Sequence, residues 1–205
     1  MKKAITATIS LLLALVFISS AEATLIDRGN GLIYDTVLNI TWTQNANLLG
    51  LGTWANQVTK ANNLVFGGFD DWRLATISST SPTNTASFCG SGTAAQCAAS
   101  GNELGYMFYF NLGGTLGSDK TGNQVGAGGV TLNNIPFSAW SGTEFSATNA
   151  WFILFVNGLE GGATGPKTDV TGALAVRNGD SVRSTTPEPG SLVLLEAGLG
   201  LLWWV

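Results

Sequence analysis

The sequence predicts an α+β domain with two helices, short antiparallel strands and long glycine-rich loops. Glycine makes up 27 of the 205 residues, about twice the usual ~7 %, so turns and irregular loops must be frequent. Two segments before residue 112 have apolar residues at helical spacing. Short apolar segments broken by glycine occupy the remainder, as is typical of strands. Helices and strands that are segregated along a chain favour the α+β class.

The start of the domain predicts three short strands. Residues 25–28 and 32–34 fit two strands joined by a tight turn over Gly29-Asn30-Gly31. Residues 35–39 form a second turn, and residues 40–43 are again extended.

Two helices follow these strands. Residues 54–64 predict the first, with Thr53 as its N-cap and Gly67-Gly68 beyond its end. The second is predicted over residues 102–110, with Glu103 in its first turn, where the helix dipole favours an acid. The apolar stripes are Trp54, Val58, Ala61 and Leu64 in the first helix, and Leu104, Met107 and Phe108 in the second.

Three further strands are predicted after the second helix, over residues 138–141, 150–156 and 172–177. The middle segment is apolar without alternation, which favours a strand buried on both faces. We expect the tryptophans of the domain to pack in its core rather than to form an exposed platform: Trp42, Trp54, Trp72, Trp140 and Trp151.

The N-terminal residues have the three parts of a secretory signal peptide. Lys2 and Lys3 supply the positive charge, residues 4–20 are apolar, and Ala21 and Ala23 are the small residues that a signal peptidase requires. We expect cleavage after Ala23, which leaves residues 24–184 as one domain of ordinary size.

Composition excludes several classes of chemistry. The chain contains no histidine, which removes Ser-His-Asp and Cys-His nucleophile systems and imidazole zinc sites. Charged residues are only 11 % of the chain and form no basic patch, so nucleic acid is not an expected partner.

The two cysteines, Cys89 and Cys97, flank a Gly/Ser/Ala loop, and in an exported chain they predict a structural disulfide. The alternative is a redox or metal pair, although the spacing is not that of CxxC.

Three stretches of the chain carry a family resemblance: residues 31–35 with 38–42; residues 54–55 with 67–76; and residues 139–144 with 150–152 and 173–180. Together they resemble the Lcl C-terminal-domain family, formerly a domain of unknown function, which is placed near the C-type-lectin-like fold. Residues 102–111 are similar to the segment that follows the cysteine pair in exported members. Ala75 departs from the family pattern, where proline is usual. The resemblance implies a C-type-lectin-like domain and no particular reaction.

The family motif residues are interpreted as structural: Asp71, Trp72, Arg73, Trp140 and Arg177. A planar guanidinium suits a carboxylate, so we expect a buried pair between Arg73 and an acid. The alternative is a guanidinium that contacts a ligand.

No catalytic residue, cofactor or metal ligand is assigned from the sequence. A glycosidase needs two carboxylates ~5–9.5 Å apart, and nothing in the linear sequence sets such a pair. Calcium takes oxygen ligands, which residues 144–149 and 157–160 can supply, but EF-hand spacing is absent.

The last segment, residues 185–205, resembles the PEP-CTERM sorting signal through Pro187-Glu188-Pro189. The resemblance implies an exosortase-type processing enzyme as partner and membrane association through the apolar tail before processing. It also implies a destination at the cell surface or in the extracellular matrix of a Gram-negative bacterium. The tail lacks the basic residues that usually end this signal, and Glu196 interrupts its apolar run.

Taken together, these features predict an exported, non-enzymatic domain of the surface or exopolysaccharide matrix that binds a glycan or another matrix component. Two alternatives stay open at this point. One is a carboxylate-dependent hydrolase of extracellular polysaccharide, and the other is a purely structural matrix protein.

Overall fold

The computed structural model of the protein describes residues 24–77, 88–160 and 164–182. These residues form helices and mainly antiparallel sheets, so the domain belongs to the α+β class. The strands are β1 (Leu25–Gly29), β2 (Leu32–Asp35), β3 (Ile40–Thr43), β4 (Arg73–Leu74), β5 (Gly122–Val125), β6 (Thr131–Ile135), β7 (Ser138–Glu144), β8 (Asn149–Leu154), β9 (Thr164–Pro166), β10 (Gly172–Ala173) and β11 (Ala175–Asn178). The α-helices are α1 (Trp54–Asn62), α2 (Phe88–Ser91), α3 (Ala94–Ala99) and α4 (Glu103–Tyr106).

A five-stranded sheet joins the two ends of the described chain. Its order is β1-β2-β3-β11-β4, and every neighbouring pair is antiparallel. The late strand β11 is inserted between β3 and β4, with Arg177 opposite Thr41 and Val176 opposite Arg73. The edges of this sheet are therefore β1 on one side and β4 on the other.

A second sheet has the order β10-β7-β8-β9. The pair β10–β7 is parallel, while β7–β8 and β8–β9 are antiparallel. A separate ribbon pairs β5 with β6.

The core consists of two apolar clusters, and the strands alternate between them. Neighbouring residues of a strand point to opposite faces, so Leu32 packs in one cluster and Ile33 in the other. The larger cluster contains Trp42 and Trp151, and the smaller, under α1, contains Trp72 and Trp140. The prediction that the tryptophans of the domain pack in its core is confirmed for these four, whereas Trp54 is half-buried at the edge of the smaller cluster.

Most predicted elements are confirmed, with small shifts at their ends. The three early strands and α1 lie where the sequence places them. Thr53 occupies the N-cap position of α1, but its side chain makes no capping hydrogen bond. The predicted second helix begins after Asn102, and its second half, Met107–Asn111, is a π-helix.

Other expectations need correction. The segment between the cysteines is not simply a loop, because Thr93 and Gln96 form a reciprocal capping box that starts α3. The two-helix count is too low, since α2 and α3 were not predicted. Residues 172–177 form two strands in different sheets, separated by buried Leu174. Strand β8 ends at Leu154, where a turn replaces the predicted last two residues.

Candidate functional site

Three successive motif residues make three different contacts around β4. Asp71 pairs with Arg177, with 2.7 Å from its Oδ1 to Nε and 3.0 Å from its Oδ2 to Nη2. Trp72 is buried, and its Nε1 donates to the carbonyl oxygens of Phe66 and Phe69. The indole therefore anchors the segment that connects α1 to β4.

Arg73 uses its whole guanidinium in holding β4. Nη1 and Nη2 donate to the two carboxylate oxygens of Glu103 at 2.8 and 2.7 Å. The remaining three N–H groups reach the carbonyl of Leu74 and the Oδ1 of Asn178. An arginine has five N–H donors, so none is left for a ligand. Glu103 also accepts from the backbone N–H of Thr76 at 2.9 Å.

Arg177 holds the segment that follows β11. Its guanidinium carbon lies 3.9 Å from the centroid of the Phe69 ring, and Nη1 donates to the hydroxyl of Ser181 at 2.9 Å. Hydrogen bonding to Arg177 lowers the pKa of Asp71 below its usual range. Trp140, the remaining motif residue, is buried and meets Phe152 edge-on.

Cys89 and Cys97 form a disulfide, and both are buried. Beside it lies the fully buried carboxylate of Glu160, which accepts from the backbone N–H of Cys89 and from Nδ2 of Asn102, both at 2.9 Å. Burial raises the pKa of Glu160, and the two hydrogen bonds oppose that rise. A Cβ on Gly105 would lie 2.1 Å from Oε2 of Glu160, so only glycine fits there.

A second buried carboxylate, Asp35, ties the π-helix to the first sheet. Its Oδ1 accepts from the backbone N–H groups of Val37 and Leu38, and its Oδ2 accepts from Nδ2 of Asn111 at 2.6 Å. Burial raises the pKa of this carboxyl, and the hydrogen bonds lower it in part. Both of these fully buried carboxylates, Asp35 and Glu160, are thus occupied in holding backbone and amide groups.

Most of the acids that a hydrolase or a calcium site would need are engaged in other contacts. Glu144 pairs with Lys167, and Asp180 pairs with Arg28. Glu103 and Asp71 are held by arginine, and Glu160 is buried. In the described ranges no group of three or more Cys, Asp or Glu side chains is placed to hold a metal ion.

A cleft between β1 and the residues that follow β11 has polar lining groups, and we call it the Arg28 cleft. It has a volume of about 360 Å³ and is lined by Asp27, Arg28, Asn30, Leu32, Gly67 and Ser181, with Val182. Small-molecule sites usually measure ~300–1,000 Å³. Two other clefts measure about 200 Å³ and 160 Å³, the size of a single subsite rather than of a whole small-molecule site.

The Arg28 cleft contains hydrogen-bond donors and acceptors, and only some of them are engaged by other described residues. Nε and Nη2 of Arg28 donate to Asp180 at 2.9 and 2.5 Å, and within the described segments Nη1 has no acceptor. Asp27 uses one oxygen to accept from the backbone N–H of Gly29. The carboxamide of Asn30 has no hydrogen-bond partner among the residues described.

The sequence places Asn30 at this cleft through the turn between β1 and β2. Gly29, Asn30 and Gly31 all have positive φ, at 74°, 53° and 76°. Asparagine tolerates this left-handed conformation better than most residues, and the turn projects its amide from the sheet edge. Sequence reasoning predicted the turn but did not single out Asp27, Arg28 or Asn30. The available signal was a charged pair next to a polar turn, and loops often carry function.

The second cleft, which we call the Trp54 groove, runs between α1 and β4. Trp54, Val58 and Asn62 line one wall, and Arg73, Leu74 and Thr76 line the other. Trp54 is half-buried, unlike the four core tryptophans, and its Nε1 donates to the carbonyl of Ser141 at 2.9 Å.

Several predicted features concern residues outside the described ranges. These are the cleavage-site residues Ala21 and Ala23 and the motif Pro187-Glu188-Pro189. Among the helices that are described, none is long and apolar enough to cross a membrane. Comparison of the chain with protein-family models, curated proteins and solved structures gives no match.

Proposed function

We propose that this chain is an exported, non-enzymatic domain of the cell surface or exopolysaccharide matrix that binds a neutral glycan in the Arg28 cleft. The observation that carries the proposal is the set of polar groups in the Arg28 cleft that other described residues only partly engage, in a cleft of ligand size. The proposal includes a C-type-lectin-like arrangement of the Lcl C-terminal type, which the motif stretches around Asp71 and Trp140 support.

The lining groups are complementary to the hydroxyls of a sugar. Nη1 of Arg28 offers donors, the second oxygen of Asp27 offers an acceptor, and Asn30 offers both. Leu32 adds apolar surface for the carbon-bound hydrogens of the ring. A small number of placed polar groups beside apolar surface is the usual composition of a ligand site.

Charge favours a neutral glycan over an acidic one. Arg28 carries the positive charge at the cleft, and Asp180 already balances it through two hydrogen bonds. Asp27 adds a negative charge on the cleft wall. A uronate or sulfate group would meet this carboxylate without a free cation beside it.

Hydrolysis is less well supported. A glycosidase needs an acid and a second carboxylate on the two sides of the scissile bond. Asp27 is the carboxylate that lines the Arg28 cleft. The carboxylate of Asp180 is paired with Arg28 and is therefore already engaged. A purely structural matrix protein would bind no glycan at all, so a glycan-binding experiment also distinguishes that alternative from the proposal.

The test is a glycan array followed by calorimetry with Asn30→Gly. Glycine keeps the left-handed backbone at this position and removes only the carboxamide. Loss of one or two hydrogen bonds should weaken binding about 3- to 10-fold. Asn134→Gly is the matched control, because Asn134 also has positive φ, at 56°, and lies in β6. Equal affinity for both variants, or no glycan bound by the wild type, would show that the site is wrong.

The proposed address has its own test. Signal cleavage after Ala23 predicts that the exported protein begins at Thr24, which N-terminal mass spectrometry measures. Replacement of Pro187-Glu188-Pro189 by alanines should leave the protein unprocessed in the membrane fraction of a cell that contains an exosortase-type enzyme. An unchanged distribution between membrane and matrix would contradict the sorting role.

A further inference from the structure

We propose that the Trp54 groove is a second subsite for the glycan chain held in the Arg28 cleft, so that the domain binds a polysaccharide at two points. This inference rests on the proposed function and adds the class of ligand, a neutral polymer rather than a short oligosaccharide.

The groove has the shape of a site for an extended chain. Trp54, Val58 and Asn62 are spaced four residues apart on α1 and therefore lie in a row along one face. Eight residues of helix rise about 12 Å, which sets the length of this wall. An indole lies at one end of the row and a carboxamide at the other. Val58 on this wall and Leu74 on the opposite wall give the groove apolar surface.

Trp54 is held in place before any ligand arrives. Its indole N–H donates to Ser141, and its backbone N–H donates to the carbonyl of Lys167 at 3.0 Å. The ammonium of Lys167 lies 4.7 Å from the centre of the ring and is itself paired with Glu144 at 2.5 Å. A ring fixed in this way loses little conformational entropy when a sugar packs against it.

The charges around the groove are also balanced. Glu103 neutralises Arg73 and occupies two of its donors, and Glu144 neutralises Lys167. The carboxamide of Asn62, on the last turn of α1, is exposed. The groove therefore matches the Arg28 cleft in favouring a neutral ligand with hydroxyl groups.

The two sites lie within reach of one chain. The Arg28 cleft extends from β1 to Ser181, just after β11, and the groove is lined by β4, which neighbours β11 in the five-stranded sheet. Arg28 donates to Asp180, and Arg73 donates to Asn178, two residues earlier in the chain, so the two sites flank the same end of β11. The segment from α1 to β4 contributes to both, through Trp54 in the groove and Gly67 in the cleft. A polymer bound at one site is thus presented to the other at high effective concentration.

The experiment compares chain lengths with the purified protein. The probes are matched pairs of neutral oligosaccharide and polymer: cellobiose with hydroxyethyl cellulose, isomaltose with dextran, and mannobiose with mannan. For a bound pair, the polymer should bind at least about 10-fold more tightly than the disaccharide when concentrations are counted per disaccharide unit. Asn62→Ala and Trp54→Phe should remove this gain and leave the disaccharide affinity unchanged.

A spectroscopic readout separates binding at the groove from an indirect effect. Polymer should protect Trp54 from quenching by acrylamide, and the protection should disappear in Trp54→Phe while the folded far-UV signal is retained. Asn30→Gly should weaken disaccharide and polymer alike, which tests the proposed function separately. Equal affinity for disaccharide and polymer, or a length effect that survives both groove variants, overturns the second subsite. Binding to none of the probes overturns the proposed function and this inference with it.

Discussion

Arg28 and Arg73 lie at opposite edges of the same sheet, and each holds a carboxylate with two hydrogen bonds. Arg73 has an acceptor for all five N–H groups, whereas Arg28 gives two of its five to Asp180 in the described structure. An ion pair by itself therefore does not distinguish a structural arginine from one that can bind a ligand. The number of N–H groups that have no acceptor within the protein does distinguish the two.

The comparison is tested most strongly by Glu103→Ala. This change leaves Arg73 without its acid and removes the acceptor of the Thr76 N–H, and the Glu103 side chain is only 10 % exposed. We expect the free energy of unfolding to fall by about 2–3 kcal/mol, measured by urea denaturation. Glu144→Ala is the control, because that side chain is 57 % exposed and its pair should contribute less than about 1 kcal/mol. Similar losses in the two variants would show that the Arg73 contacts do not brace the fold.

Arg28→Ala should separate binding from stability at the other edge. The pair with Asp180 is partly exposed, and the guanidinium lies 5.3 Å from the centre of the Tyr34 ring. Losing both should reduce the free energy of unfolding by about 1 kcal/mol or less, while glycan affinity falls more than in Asn30→Gly. Parallel urea and calorimetric titrations measure the two effects. A large loss of stability with unchanged glycan binding would show that Arg28, like Arg73, braces the fold and does not bind the ligand.

The contributions of Asp35 and Asp71 to the free energy of unfolding should depend on pH in opposite directions. On the Arg28 side, burial raises the folded-state pKa of Asp35 above its ordinary 3.8. Its contribution to stability is full below pH ~3.8 and is lost as pH rises through the folded-state pKa. Asp35→Asn should remove this loss, since Asn111 can rotate its amide and accept from the new N–H. Thermal unfolding between pH 4 and 8 measures the change, and an unaltered pH slope would contradict it.

The smallest effect is expected at Asp71, beside Arg73. Pairing with Arg177 lowers the folded-state pKa of Asp71, so its contribution is present above pH ~3.8 and is lost as pH falls through the lower value. The carboxylate is 52 % exposed, and solvent screening should keep the effect below about 1 kcal/mol. Asp71→Asn should therefore reduce the pH dependence of the free energy of unfolding, and only at acidic pH. A change confined to neutral pH would indicate another cause.

Local patterns were enough to find most elements of the first half of the domain. Turn residues located the hairpin around Asn30, and helical spacing located α1, because both signals depend on neighbours within a few residues. The ribbon β5–β6, the strand β9 and the helix α3 were missed. Their sequences are too short to show periodicity, and they are stabilised by capping and by pairing with other strands.

The site was less accessible to sequence reasoning than the fold. The motif residues Asp71 and Arg73 stood out, but their donors and acceptors are used within the protein. Asp27 and Arg28 carry no distinctive spacing, and their availability depends on Asp180, which is 152 residues from Arg28. No local pattern encodes which donors a folded arginine will have left.

The sequence by itself determined the class of the domain, its early strands, its first helix, its buried tryptophans and the pairing partners available to two cysteines. These follow from composition, periodicity and turn chemistry, which act over short stretches of chain. Only the tertiary structure decided that residues 172–177 divide between two sheets and that Asn111 reaches Asp35 from a π-helix. It also decided that, among the described residues, Arg28 has donors without an acceptor while Arg73 has none. Each of these depends on which distant groups folding brings within hydrogen-bond distance.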